Sequence, residues 1–169
     1  MRDNILKRFY YFIESHIDEI DRNEFEILYH LLDETEDEIL YHNVGIFTDI
    51  LIEVGIDPLA NASRVYENMF VNSKQINITL PDSIKKLGRS AFYNAYNLSS
   101  IIIPEGVTYI PNECFEECYS MDWIQIPRSV KCIEKGAFSP DHLFLVKCYK
   151  DSYADKWADE QGLKTEYLE

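Results

Sequence analysis

No apolar run in this chain approaches the roughly 20 residues that span a bilayer, so no membrane-spanning helix is expected. Glycine is sparse, and its six residues are scattered singly. There is accordingly no G-x-G-x-x-G, no P-loop and no G-x-S-x-G, the glycine-dependent signatures of dinucleotide sites, phosphate cradles and nucleophile elbows. Cysteine is scarce as well. Cys114, Cys118, Cys132 and Cys148 form no C-x-x-C pair and have no clustered histidine, whereas zinc sites need tighter paired ligands. His30 and His42 fall in a doubled "EILYH" beside Glu26 and Glu38, but no H-E-x-x-H or comparable ligand pair results. Neither a cofactor nor a metal is expected.

Positive charge is the other scarcity. Lys and Arg number 16 against 30 Asp and Glu, a net charge of −14. Residues 1–60 alone hold 15 acidic and 4 basic side chains, a net −11. Such a field repels phosphate backbones and suits a partner with a basic surface, so direct nucleic-acid binding is not expected. The plainer reading is a helical surface kept soluble by its charge. The opening "MRDNILKRFYYFIESH" carries charges throughout and has no small-residue cleavage site. It reads as a helix rather than a signal peptide, which makes a cytoplasmic location and reduced, buried thiols the expectation.

What the chain does have is a period. Pro81, Pro104 and Pro127 recur at one constant spacing, and Phe92, Phe115 and Phe138 recur at the same one. Leu80, Ile103 and Ile126 form another column, followed by Ile84, Val107 and Val130, and by Leu87, Ile110 and Ile133. So many columns at one spacing are the mark of stacked coils. In "LSSIIIP" and "MDWIQIP" the last apolar residues alternate as in a short strand, which proline then stops. A second short extended segment follows, and then "SAFYNAYN", "ECFEECYS" and "GAFSPDH", which read as a helical turn wedging its Phe inward. Cys114 shares a column with Ala91 and Ala137, and Cys118 pairs with Ala95, so both are expected to pack as small buried groups. Cys132 aligns with Lys86 and Tyr109 and is expected to be more exposed. Upstream, Val65 and Phe70 open the array as a worn half coil. Downstream, Leu143, Val146 and Cys148 continue the inward columns. A short amphipathic helix then places Tyr153, Ala154 and Trp157 inward, Gly162 ends it, and a last extended piece closes the array.

The phrase "LSSIIIPEGVTYIPNECFEEC" resembles the BspA-type leucine-rich repeat, whose coils run L-x-x-I-x-[IL]-P, V-x-x-I and A-F-x-x-C. The closing "CYKDSYADKWADEQGLKTEYL" is similar to the usual end of such arrays. The resemblance covers roughly residues 62–169. It implies a solenoid that binds rather than catalyses, carries no catalytic residues over, and points to the short intracellular or bacteriophage-encoded members rather than the long surface proteins.

Residues 1–60 follow the helical period instead. Ile5, Phe9, Phe12, Ile13, His16, Ile17 and Ile20 share one face. Asp21 with Glu24, and Thr35 with Glu38, are capping boxes for a second and a third helix. Gly45 is placed to bend or break the third, which Gly55 and Pro58 close. The expected fold is therefore α+β: an N-terminal helical cap of about three helices (1–60), a short leucine-rich repeat solenoid of 23-residue coils (61–150), and a C-terminal helix and strand cap (151–169).

The expected functional element is a surface. Asn77 and Thr79, Ser100 and Ile102, Trp123 and Gln125, and Lys147 face away from the core. Trp123 and Ile102 are apolar where water is expected, which suits a partner or an intramolecular cover equally. Four strands about 4.8 Å apart give a face of only about 15 by 10 Å, well short of the ~800 Å² per partner of a standard interface. Acidic helices, turns or cap must therefore contribute, unless the chain self-associates. Glu34, Glu36, Asp37 and Glu38 supply charge in "LLDETEDEIL", either as ordinary helix N-terminal carboxylates or as a mimic of a phosphate run. The reading favoured by these features is a non-enzymatic protein–protein interaction module. Its sharper form is a phage-encoded inhibitor that occupies a basic, nucleic-acid-binding surface of a host protein. The alternatives are an assembly protein that homo-oligomerises through the helices, and a hydrolase with an unrecognised site; Cys–His chemistry would require His142 near a partly exposed thiol.

Overall fold

The computed structural model describes Gly45, Thr48, Asp49, Leu51, Ile52 and residues 57–60, 62–65 and 67–169. Its elements are β1 (Ser100–Ile102), β2 (Tyr109–Ile110), β3 (Trp123–Gln125), β4 (Cys132–Ile133), β5 (Leu145–Cys148), α1 (Tyr153–Glu160) and β6 (Lys164–Tyr167). β1, β3, β5 and β6 form a parallel four-stranded sheet in that order, and β2 pairs with β4 in a second parallel sheet. Ile101 stands opposite Ile124, and Ile124 opposite Val146, all inward. The strands are short because proline ends them. Ile103 and Ile126 still donate to the Gln125 and Lys147 carbonyls at 2.9 Å each, and the prolines that follow have no N–H to give.

Between the two sheets runs a stack of aromatic rings. Successive centroids from Phe70 through Phe92 and Phe115 to Phe138 lie 5.1, 5.0 and 5.3 Å apart. The interplanar angles of 5°, 5° and 16° make these offset-stacked pairs. Ile84, Val107 and Val130 line the interior beside them, with Leu87, Ile110 and Ile133.

The segment that carries each Phe is a run of tight turns, not the helical turn its sequence suggests. Asn68, Ser90, Glu113 and Gly136 form one column of left-handed residues, with φ of 60°, 53°, 59° and 85°. Asn72, Asn94 and Glu117 form a second, with φ of 58°, 50° and 62°. A left-handed residue every fourth position interrupts the i→i−4 pattern of a helix. The freed N–H groups point along the solenoid axis instead. Phe70, Phe92 and Phe115 donate to the Ala91, Cys114 and Ala137 carbonyls at 2.7–2.9 Å, and Asn72 and Asn94 to Tyr93 and Glu116. The second column stops at Pro140, whose ring forbids a positive φ. There Glu117 donates to the Ser139 hydroxyl rather than to a main-chain carbonyl.

At the first coil, the described residues of segment 45–52 are helical and dock on it. Thr48 donates its hydroxyl to the Met69 carbonyl at 2.6 Å, and Asp49 accepts from Ser73 Oγ and the Lys74 N–H. Gly45 is itself helical, and a Cβ there would overlap the Val71 carbonyl oxygen. Close approach of two backbones is its reason for being glycine. The remainder of the expected three-helix cap lies outside the described residues.

The C-terminal end closes the aromatic stack. Ser152 caps α1 by accepting from the Asp155 N–H, and Gly162, at φ 70°, turns the chain into β6. Two expectations change here. Tyr153 is exposed, because the small Ala154 and Ala158 form the inward stripe of α1 and leave Trp157 to pack on Phe138 at 5.2 Å. The Tyr153 hydroxyl instead accepts the Ile133 N–H at 3.4 Å, at the free edge of β4. Leu143 points to solvent, and Phe144 takes the inward place in the column of Leu98 and Met121. This last coil is one residue shorter than the 23-residue step, and the shortfall falls after Phe144.

The stack makes a simple stability prediction. Phe92→Ala opens a ring-sized void between two neighbours and costs about 3–5 kcal/mol, whereas exposed Tyr119→Ala stays within about 0.5 kcal/mol. Urea unfolding followed by circular dichroism measures both.

Candidate interaction surface

Alternation along the strands sets the outward face of the larger sheet. One cross-strand row reads Ser100, Trp123, Leu145, Lys164; the next reads Ile102, Gln125, Lys147, Glu166. Asn77 bridges to Ser100, and Thr79 is exposed beside it. The structure therefore brings Thr79, Ser100, Ile102, Trp123 and Gln125 to one face. Trp123 and Ile102 are diagonal neighbours, not opposite partners: Trp123 faces Ser100, and Ile102 faces Gln125. Trp123 is also half-buried, since the Lys147 ammonium lies 4.4 Å from its ring centroid. Such a contact contributes roughly 0.5–1 kcal/mol at an exposed site. Lys147 in turn sits 3.5 Å from Glu166, so the face carries its own charge relay from tryptophan to carboxylate. Glu34, Glu36, Asp37 and Glu38, together with His30 and His42, lie outside the described residues.

Sequence reasoning missed the corner where the turns enter the strands. Ile76, Tyr96, Tyr119 and Leu143 stand there with 60, 41, 62 and 76% of their surface exposed. Tyr96 and Tyr119 share a column with His142. An aromatic kept at one place in successive coils, at a position the interior does not use, was the available signal. Leu143 borders an apolar cleft of about 320 Å³ lined by Phe144, Leu145, Gly162, Leu163 and Lys164.

The turns carry a set of carboxylates that serve as rungs between coils. Glu113 accepts from Arg89 Nη2 at 2.7 Å, from Ser90 Oγ at 2.8 Å and from Asn112 Nδ2 at 2.9 Å. The Arg89 guanidinium and these donors hold its carboxyl below the usual range. Burial and the nearby Glu113 and Glu117 push Glu116 up. Burial and a hydrogen bond to Glu117 raise Tyr93 to about 12; a hydrogen bond to Glu134, then burial, does the same for Tyr109. The bonds from Arg89 and Ser90 to Glu113, from Tyr93 to Glu117 and from Tyr109 to Glu134 each join one coil to the next, so their chemistry is that of a stacked scaffold.

The thiols are placed for packing. Cys114, Cys118 and Cys148 are buried and Cys132 is exposed, and all four are unpaired. Burial drives the Cys114 and Cys148 thiols up and Cys118 to about 12. Cys118 lies 3.0 Å from the Phe92 carbonyl, while His142 Nε2 lies 2.9 Å from the Met121 carbonyl with Tyr119 edge-on to its ring. Among the described residues, His142 is not brought to a thiol as a nucleophilic pair. Among the described residues no helix is long and apolar enough to cross a membrane.

Comparison with known proteins agrees with this geometry. The family model described as BspA type Leucine rich repeat region matches residues 51–150 in 6 copies, well over half of the chain. No curated protein matches the chain, and no solved structure does. The chain belongs to the BspA-type leucine-rich repeat family.

Two measurements check the site chemistry. Under native conditions a thiol reagent labels Cys132 alone, and the other three thiols react only after unfolding. In an absorbance titration, Tyr93→Phe and Tyr109→Phe each remove one step near pH 12. Unfolded tyrosine ionises near 10. The stability these two phenols contribute is therefore complete below pH 10 and is lost as pH rises through about 12.

Proposed function

We propose that this leucine-rich repeat chain is a non-enzymatic protein–protein interaction module that occupies a partner through the outward sheet face and the apolar corner beside it. Leucine-rich repeats typically mediate contacts between proteins. The observation that carries the reading is the exposure of apolar side chains, Ile102 on the sheet and Tyr96, Tyr119 and Leu143 at the corner. Ser100, Gln125, Thr79 and Lys164 rim it with polar groups, the composition of an interface with apolar anchors and a wet margin. The corner also supplies the area that the strand face lacks by itself. Four unpaired thiols, three of them buried, suit a reducing, cytoplasmic compartment.

The net −11 on residues 1–60 supports a partner with a basic surface. In the sharper form of the proposal, the acidic run at Glu34–Glu38 takes the place of nucleic acid on a host protein, as an inhibitor of the kind phages encode. Binding of that kind weakens steeply with salt, because exposed charges are screened beyond ~8 Å at physiological ionic strength.

Affinity capture from a bacterial lysate tests the reading when the wild type is run beside an Ile102→Ser/Leu143→Ser variant. A protein retained by the wild type and at least about ten-fold depleted with the variant, at unchanged variant stability, supports it. Identical captures from both chains overturn it, and retention that does not change with salt removes the basic partner.

A further inference from the structure

β6 pairs with β5 on one side, and among the described residues no strand lies against its other side. Leu168 donates its N–H to the Cys148 carbonyl at 2.9 Å. Main-chain groups of alternate residues point the same way along a strand. Glu166 and Lys164 therefore also turn theirs toward β5, while Thr165 and Tyr167 present theirs at the open edge. Such an edge is a template for another strand.

We propose that the occupant is a second copy of this chain, paired antiparallel to β6 about a two-fold axis through Thr165. The argument is one of register. An antiparallel ladder matches edge-facing residues only with edge-facing residues, so the axis must pass through a residue, not between two. Through Lys164 it sets Lys164 against itself; through Glu166 it sets Glu166 against itself. Like charges directly opposed are unfavourable. Through Thr165 it sets Lys164 against Glu166 twice, Thr165 against Thr165, and Leu163 against Tyr167 of the second copy. Threonine pairs, opposite charges and an aromatic beside an aliphatic are favourable cross-strand neighbours. The segment Leu163–Tyr167 is thus complementary to its own reverse, as an isologous interface requires.

Two observations outside the strand agree. The outward row already alternates, with Lys147 3.5 Å from Glu166, and Lys164 of the second copy extends that alternation by one step. Tyr167, which is 51% exposed, comes to lie beside Leu163 of the other chain, at the apolar cleft that Leu163 lines. The same charges that discourage indiscriminate edge pairing favour this register, the one that pairs Lys164 with Glu166 twice. Pairing would also join two small sheet faces into one continuous face. This inference does not depend on the identity of any partner, since it concerns the pure chain.

A four-residue edge buries far less than the ~1,600 Å² of a stable complex, so the dimer is weak. Sedimentation velocity of the full chain between about 10 µM and 1 mM measures it, with hydrogen exchange at the Thr165 amide as the local readout. Lys164→Glu is expected to weaken dimerisation about ten-fold or more, and Lys164→Glu/Glu166→Lys to restore it. A mixture of the Lys164→Glu and Glu166→Lys single variants should form the heterodimer in preference to either homodimer. Thermal melts of each variant confirm folding. A chain that stays monomeric throughout the range overturns the proposal, and so does a dimer that Lys164→Glu leaves unchanged or that leaves the Thr165 amide unprotected.

Discussion

Phe70, Phe92, Phe115 and Phe138 stand about 5 Å apart, and neighbouring strands of any sheet stand ~4.8 Å apart. The ring stack and the main-chain ladder share one repeat distance. That coincidence lets a single rise per coil satisfy both, so neither is stretched to accommodate the other. One coil has too little interior to be stable alone, and its unpaired N–H and C=O groups find partners only in the coil above or below. Departures from the regular row are tolerated only where this distance is kept. Arg64 pairs with Lys86 and Ile124 with Val146, each one position sooner along the chain than the regular step from Ser100 to Trp123. The dropped residues fall in connections, not in the ladder.

The columns made the interior legible from the sequence alone. A residue that must be apolar in every coil is visible as an alignment of the chain with itself. The Phe stack, the prolines that end strands and the buried Cys114 and Cys118 all follow from it. The turns were not legible for a physical reason. Asn68, Ser90, Glu113 and Gly136 have little in common as residue types, yet share a left-handed backbone. The coil geometry imposes it, and inter-coil hydrogen bonds hold three non-glycine residues there against their own preference. Side-chain bonds help at Glu113, which Arg89 and Ser90 tether from the preceding coil.

Less of the surface could be read. Thr79, Ser100, Ile102, Trp123 and Gln125 were located by strand alternation, which is robust. The partial cover of Trp123 by Lys147 depends on which residue follows it one coil later, a pairing that the deletion after Phe144 shifts. The same deletion decides that Leu143 is exposed and Phe144 buried. A one-residue slip in a strand exchanges inside for outside, so the irregular last coil was where inference from periodicity failed. What emerges is a scaffold in which Glu113, Glu117 and Glu134 tie coil to coil, and in which Ile102, Tyr96, Tyr119 and Leu143 leave apolar surface open.

Near-identical rows carry a hazard. A chain that repeats itself so closely could fold with one row skipped, placing Phe115 on Phe70 and looping out what lies between. Such a trap would still bury rings and bond main chains in the middle of the array. It would fail in the row left out, whose Ile84, Leu87 and Phe92 are buried in the native order and would lie in water. The native row order is the one in which the apolar columns of every row are covered by a neighbour.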